Sequence, residues 1–240
     1  MIKALLGDTE TTGTDHEKDQ IIEAAWLHLP QTIAEFCAVK SPDVFEFYHE
    51  RFKASIPISL GAMSVHNIID EDLVDCLDHD QFSLPNDVDY LIGHNIDFDW
   101  RMMGEPEVRR ICTLALSRSL FPDLDSHKQA AMIYHIGRIY GRMAWARDLV
   151  KGAHAALDDV RMCAALLRFL ILMLKHNGAE VESWEQLALI SDEARIPTVM
   201  SFGKHKGLRI EDVPSDYVRW YRGQVDKDEW LLKAFARAGK

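Results

Sequence analysis

The chain has 240 residues, 48% of them hydrophobic, 27% charged and 9% aromatic, an ordinary globular composition that excludes a disordered or fibrous chain. Twenty-seven Lys and Arg stand against 38 Asp and Glu, for a net charge of −11, which argues against a protein that holds nucleic acid by bulk positive charge. The opening Met1-Ile-Lys-Ala-Leu-Leu6 is too short an apolar run for a signal peptide. The longest apolar stretch, Phe169 to Leu174, falls far short of the roughly 18–20 residues that span a bilayer, so no membrane contact is expected.

In chain order, Ala4 to Gly7, Ile21 to Leu29 and Val44 to Phe52 read as strands, with Asp15 to Asp19 a charged turn between the first two. Tyr90 to Ile92 and Ile111 to Cys112 read as further short strands. Helices are expected over Glu71 to His79, Phe98 to Met103, Thr113 to Leu120, Ser126 to Tyr140 and Ala155 to His176. The last is the clearest, because Val160, Cys163, Leu167, Leu170 and Leu174 recur at three- and four-residue spacing. Asn177-Gly178 then supplies a left-handed stop. Strands first, then helices with strands between them, make an α/β fold with a mixed sheet flanked by helices. Cys37, Cys76, Cys112 and Cys163 are far apart and show no Cys-x-x-Cys spacing. All four read as small core residues in a reducing cytoplasm.

The charge is uneven. Residues 200–240 carry nine Lys and Arg against six Asp and Glu, +3, which leaves −14 for residues 1–199. Such a shift marks a module boundary. Ala179 to Arg195 reads as a polar helical connector that Pro197 interrupts. The expected organisation is a main domain over 1–178, a connector over 179–199 and a small basic and aromatic C-terminal module over 200–240.

The chemistry is concentrated in three segments. Gly7-Asp8-Thr9-Glu10-Thr11-Thr12-Gly13 follows the first apolar strand. Side chains two apart on an extended chain share a face, so Asp8 and Glu10 converge. Paired carboxylates repel unless a proton or a cation resolves the repulsion, and a hard divalent cation takes such oxygen ligands. His94-Asn95-Ile96-Asp97-Phe98-Asp99 follows another apolar run. His154-Ala-Ala-Leu-Asp-Asp159 opens the amphipathic helix, with a histidine before it and a carboxylate about one turn in.

In order and spacing these segments resemble the three motifs of the DnaQ-like (DEDDh) 3′–5′ exonucleases: Asp-x-Glu-Thr-Thr-Gly, His-Asn-x-x-Phe-Asp and His-x-Ala-Leu-x-Asp. Ala62-Met-Ser-Val-His-Asn-Ile68 resembles the family's Val-His-x-Ile segment, and Thr113 with Leu120-Phe-Pro122 its following helix. The tail Ser201-Phe-Gly-Lys-His-Lys-Gly207 with Asp216-Tyr-Val-Arg-Trp-Tyr221 is similar to the segment behind catalytic domains of the exonuclease X branch. Two departures stand out. Ala155 follows the third-motif histidine where Arg is frequent, and Gln129-Ala130-Ala131 stands where small apolar or Leu-rich patterns are usual.

The resemblance implies a ribonuclease-H-like sheet with Asp8, Glu10, Asp99 and Asp159 around two Mg²⁺ ions, Mn²⁺ being able to substitute. Two metals about 3.5–4 Å apart can activate water and offset charge on the leaving oxygen of a phosphodiester. His154 then serves as general base, its ordinary pKa lying near working pH. Asp8 and Glu10 are counted with it as catalytic. Thr11, Thr12 and Gly13 are expected beside the terminal nucleotide. His94 and Asn95 are expected to fix the strand–helix turn, His66 to be structural, and Asp97 and Asp158 to stand outside the ligand set.

The implied activity is a 3′–5′ exonuclease of DNA replication or repair, acting on single- or double-stranded DNA 3′ ends and releasing nucleoside 5′-monophosphates. The alternatives are an exoribonuclease of the RNase T or oligoribonuclease type and a non-catalytic nucleic-acid-binding module. In the tail, Lys204, His205, Lys206 and Arg209 near Tyr217, Trp220 and Tyr221 admit two readings, a grip on the substrate strand or the core of a small module.

Overall fold

The apolar start of the chain becomes the centre of a sheet. In the computed structural model, which describes residues 2–39, 45–225 and 227–240, β1 (Ala4–Thr11) lies between two neighbours and is buried throughout its apolar half. β2 (Ile21–Leu29) pairs with it antiparallel and β5 (Tyr90–Gly93) parallel. β6 (Arg109–Cys112) adds to β5, while β3 (Phe47–Lys53) and the two-residue β4 (Leu77–Asp78) extend the other edge. The order is β4-β3-β2-β1-β5-β6.

The helices are α1 (Ile33–Ala38), α2 (Leu60–His66), α3 (Asp97–Met102), α4 (Thr113–Leu120), α5 (Gln129–Ile139), α6 (Met143–Val150), α7 (Ala156–His176), α8 (Trp184–Arg195), α9 (Ser215–Arg222) and α10 (Glu229–Arg237). α7 lies across β1, β2 and β3, with α4, α5 and α6 packed against it. Its stripe of Val160, Cys163, Leu167, Leu170 and Leu174 is buried as its period requires. It ends where Gly178 takes φ 85° and Ala179 N–H reaches back to the carbonyl of Leu174, the left-handed stop that Asn-Gly predicts.

Ile21–Leu29 and Thr113–Leu120 coincide with the expected strand and helix. Three expectations need correction. β1 runs past the expected end at Gly7 to Thr11, because Asp8, Thr9 and Glu10 remain paired with Ala25, Ala24 and Glu23, so the two acids sit within the strand. Glu71 to His79 is no α-helix. A 3-10 turn at Asp70–Leu73 is followed by β4, because Leu77 and Asp78 are drawn out alongside Phe52 and Lys53 of β3. α5 starts only at Gln129. The Val44 end of the third expected strand lies outside the described residues. Of the cysteines, Cys112 and Cys163 are buried, whereas Cys37 and Cys76 are half-buried.

By compactness the chain divides into Met1–Ser191 and Asp192–Lys240. α8 begins inside the first unit. Trp184 is fully buried, its Nε1–H donates to the Pro30 carbonyl at 3.0 Å, and its ring lies 5.8 Å from that of Phe36. Ser191 Oγ accepts from Cys112 N–H at 2.8 Å. The second unit has its own core of Met200, Ile210, Val213, Tyr217, Val218, Tyr221, Leu231, Ala234 and Phe235. There Asp228 caps α10 by accepting from the N–H groups of Trp230 and Leu231. Among the described residues no helix is long and apolar enough to cross a membrane.

Trp184→Ala should reduce the stability of the first unit by about 3–5 kcal/mol, the usual loss for a buried Trp truncated to Ala. Urea unfolding followed by circular dichroism measures it, and an unchanged midpoint would place the first turn of α8 outside that core.

Candidate active site

The constraint on this region is set by β1. Asp8 and Glu10 alternate with Thr9 and so share a face of the sheet. Across the antiparallel pair Glu10 faces Glu23 of β2. The first turn of α7 brings Asp159 over the same strand end. Asp8, Glu10 and Asp159 each present an oxygen, all within 4.8 Å of one another. Asp99 on α3 is buried beside them, its Oδ1 accepting from Thr9 N–H at 3.0 Å and from Thr9 Oγ1–H at 2.8 Å. Three elements thus deliver the four expected carboxylates to one place.

Their proton affinities record the crowding. Burial, then the charges of Asp99, Asp159, Glu10 and Glu23, hold Asp8 well above the usual carboxylate range. Burial, then Asp159, Glu23 and Asp99, push Glu10 up to about 8. Asp99 is raised to about 7 by burial, against the two Thr9 hydrogen bonds. Asp159 is raised to about 6, burial again dominating over the His154 N–H that favours its charged form. Clustered acids hold protons until cations replace them. Several hard oxygen ligands this close fit a divalent cation.

Asp159 is held on three sides. Its Oδ2 accepts from His154 N–H at 2.8 Å, and Gln129 Nε2–H donates to its Oδ1 at 3.0 Å and to its carbonyl at 2.9 Å. His154 is exposed and takes φ 71°, a turn that aims its N–H back at Asp159. Glu23 is 1% exposed. Its Oε2 accepts from Ala156 N–H at 2.8 Å, while Oε1 accepts from Arg51 Nε–H at 2.7 Å and meets His49 Nε2 at 3.0 Å. Burial alone would raise its pKa, but Arg51, the Ala156 N–H and His49 together lower it. Since Ala155 has no capping side chain, Glu23 satisfies the start of α7 from another element.

Glu23, Gln129 and Thr9 do not stand out as site residues in the sequence. Glu23 has a readable signal, a lone acid inside Ile21-Ile-Glu-Ala-Ala-Trp26. Gln129 shows only as a departure from the motif pattern and Thr9 only as the spacer between two acids, and neither reveals a partner 30 or 90 residues away.

A cleft of about 850 Å³ opens over the carboxylates. Asp8, Thr9, Glu10, Asp99, His154 and Asp159 line it, with His94, Asn95, Arg118, His127, Lys128 and Gln129 on its other walls. Thr11, Thr12 and Gly13 are not among its lining residues. Thr11 and Thr12 are buried, donating to the Gly13 carbonyl and to Asp19 Oδ1, and a Cβ on Gly13 would lie 2.4 Å from Asp19 Oδ2. His94 Nδ1 meets Thr113 Oγ1 at 3.0 Å, and that hydroxyl also donates to the Gly93 carbonyl. This ties the end of β5 to the start of α4. His66 is structural, since Nδ1 accepts from Ile68 N–H and Nε2 faces the Thr11 carbonyl. Asp97 pairs with Arg110 and Asp158 with Arg161.

A six-stranded mixed sheet flanked by helices, with this carboxylate cluster at one strand end, is a ribonuclease-H-like arrangement, and the chain is similar in sequence and fold to named DNA exonucleases. It is 28% identical over 181 residues to exodeoxyribonuclease 10 of Escherichia coli K12, covering 71% of this chain and 74% of that one. It is 28% identical over 187 residues to the DNA polymerase III epsilon subunit of Treponema pallidum, covering 71% and 78%. The solved structure of exonuclease X with a 5′-overhanging duplex DNA shares the fold at a TM-score of 0.53 and 24% identity, over 78% of this chain and 99% of that one. Residues 193–225 match a family described as a putative quorum-sensing-regulated virulence factor.

In the metal-free protein, Glu10 at about 8 and Asp99 at about 7 keep protons that an unfolded chain, with ordinary carboxylates near 4, has lost. Their stabilising effect is complete in acid and is lost as pH rises through the folded values. His66 and His94, both lowered chiefly by burial, enter only as unfolded histidines protonate below about 6.5. The Tm in EDTA should therefore fall as pH rises from about 6.5 to 8.5, and a divalent cation should flatten the slope. Scanning calorimetry at four pH values tests this. A Tm in EDTA that stays constant or rises would contradict the crowded-acid description.

Proposed function

We propose that the chain is a 3′–5′ exodeoxyribonuclease that releases nucleoside 5′-monophosphates from the 3′ end of DNA, with residues 1–178 as its catalytic domain. The observation that carries this reading is the meeting of Asp8, Glu10 and Asp159 within 4.8 Å in an open cleft that Asp99 and His154 also line. The names of its relatives, an exodeoxyribonuclease and a DNA polymerase III subunit, support DNA as the polymer. Two Mg²⁺ ions, or Mn²⁺ in their place, would be held by Asp8, Glu10, Asp99 and Asp159 and supply water activation and charge neutralisation at the leaving oxygen.

The remaining work falls to the chain's own groups. His154, on the rim of the cleft and hydrogen-bonded through its backbone to Asp159, takes the proton of the attacking water on a ring nitrogen. Gln129 and the His154 N–H keep Asp159 in one rotamer, Thr9 does the same for Asp99, and Glu23 fixes the helix start that carries both Asp159 and His154. Arg118 and Lys128 on another wall provide positive charge for the strand's phosphates. A protein of net charge −11 thereby concentrates cations where an anionic polymer enters. Four cysteines without a disulfide suit a reducing cytoplasm.

The test is degradation of DNA and RNA oligonucleotides labelled at either end, with Mg²⁺, Mn²⁺ or EDTA. Label should leave first as a mononucleotide from the 3′ end of DNA, and not in EDTA. His154→Ala should lower kcat by roughly 10²–10⁴-fold, the usual contribution of a general base. Release from the 5′ end, or attack on RNA alone, would overturn the proposal. A His154→Ala enzyme with normal kcat would remove His154 from the base role.

A further inference from the structure

The second unit carries a surface that the carboxylate site does not explain. Val199 bridges to Arg209, Met200 N–H donates to the Leu208 carbonyl at 2.8 Å, and Gly207 N–H donates to the Met200 carbonyl at 2.9 Å. Gly203 and Gly207 take φ 70° and 90°, positions where any side chain is strained. The result is a tight loop that holds Phe202, Lys204 and Lys206 at the surface beside α9. Tyr217 of α9 is buried and forms the floor. The His205 ring stands edge-on to it at 4.6 Å, Lys204 Nζ lies 5.5 Å from its centre, and the Trp220 ring lies at 5.2 Å.

Trp220, which lies against the floor, is 56% exposed, and Phe202, whose ring lies 6.1 Å from that of Tyr221, is 42% exposed; neither belongs to the core of this unit. Lys204 and Lys206 are exposed and make no ion pair among the described residues. Residues 200–240 carry +3 in a chain of −11. The family match over 193–225 covers this surface and none of the four carboxylates, so the segment is recognisable apart from the exonuclease motifs.

We propose that this surface binds a single nucleic-acid strand, with a base stacked on Trp220 and flanking phosphates paired with Lys204 and Lys206. An exposed indole and the Lys204 ammonium on one tyrosine ring, with the exposed Lys206 two residues along the same loop, match a ligand with alternating planar faces and negative charges. An acidic peptide would satisfy the lysines and leave the indole without a planar partner. The inference rests on the exonuclease reading only for the identity of the strand as DNA. Contacts with nucleotides other than the one being cleaved hold substrate equally in ground and transition states, so they lower KM and leave the chemical step alone.

The experiment uses the full chain in EDTA, with a fluorescein-labelled oligothymidylate titrated by anisotropy across a range of NaCl concentrations. Lys204→Ala with Lys206→Ala should reduce the slope of log K against log salt by up to about 1.4, about 0.7 for each phosphate that no longer meets a lysine on a single strand. Trp220→Ala should weaken binding at least about fivefold with little change in slope, as removal of a stacking platform does. Both variants should keep the wild-type Tm and hydrolyse thymidine 5′-p-nitrophenyl phosphate, which has no strand for this surface to hold, at the wild-type rate. Wild-type affinity and slope in both variants would overturn the proposal, as would polyglutamate competing as well as oligothymidylate. A wild-type chain inert toward the p-nitrophenyl ester would count against the exonuclease reading, while the anisotropy would still decide this surface.

Discussion

Four carboxylates in one half-buried cleft repel one another, and the architecture of the first unit is organised around tolerating that repulsion. Burial and mutual charge drive Glu10 to about 8 and Asp99 to about 7. Among the described residues no Lys or Arg side chain is bonded to Asp8, Glu10, Asp99 or Asp159; the partners of Asp99 and Asp159 are hydroxyl, amide and backbone groups from Thr9, Gln129 and His154. Direct ion pairs would neutralise the acids and remove their use. The arginines serve the neighbouring acids Glu23, Asp97 and Asp158 instead. The four that meet are left for protons or for divalent cations.

The sheet makes this meeting possible. β1 and β5 run parallel as neighbours, so their carboxyl ends open at the same edge, where α/β sheets generally bind ligands. Asp8 and Glu10 lie in the last half of β1, and Asp99 follows β5 on the short α3. α7 then crosses the same sheet, with its N-terminal turn above β1. Glu23 ties that turn to β2, β3 and the helix start at once, through Ala156, Arg51 and His49. A buried ionised carboxylate with three donors is stable where it stands, and the position of His154 and Asp159 follows from it.

Much of the site is legible in the sequence because acids at strand ends stand out against apolar runs. Asp8, Glu10, Asp99, His154 and Asp159 all line the cleft, and the helix over 156–176 announces itself by its period. What the sequence hides is decided by partners far along the chain. Gln129 departs from the usual pattern in sequence, and only the fold shows that it grips Asp159. Thr11 and Thr12 belong to a motif yet turn inward, because the Gly13 carbonyl and Asp19 respectively take their hydroxyls. Glu71 to His79 has helical spacing, but pairing at the β3 edge pulls Leu77 and Asp78 into a strand. Ala179 to Arg195 looks polar, although Trp184 and Leu187 bury one stripe of it completely.

The central claim is that this crowded cluster is a divalent-cation site that gives up protons when it is filled. Calorimetric titration of the full chain with Mn²⁺ near pH 7 tests it most directly, run in two buffers of different ionisation heat beside Asp8→Asn. The account predicts uptake of two ions by the wild-type chain with net proton release, and loss of at least one of them in Asp8→Asn. A wild-type chain that takes up no Mn²⁺, or an Asp8→Asn chain that takes up as much with the same affinity, would contradict it.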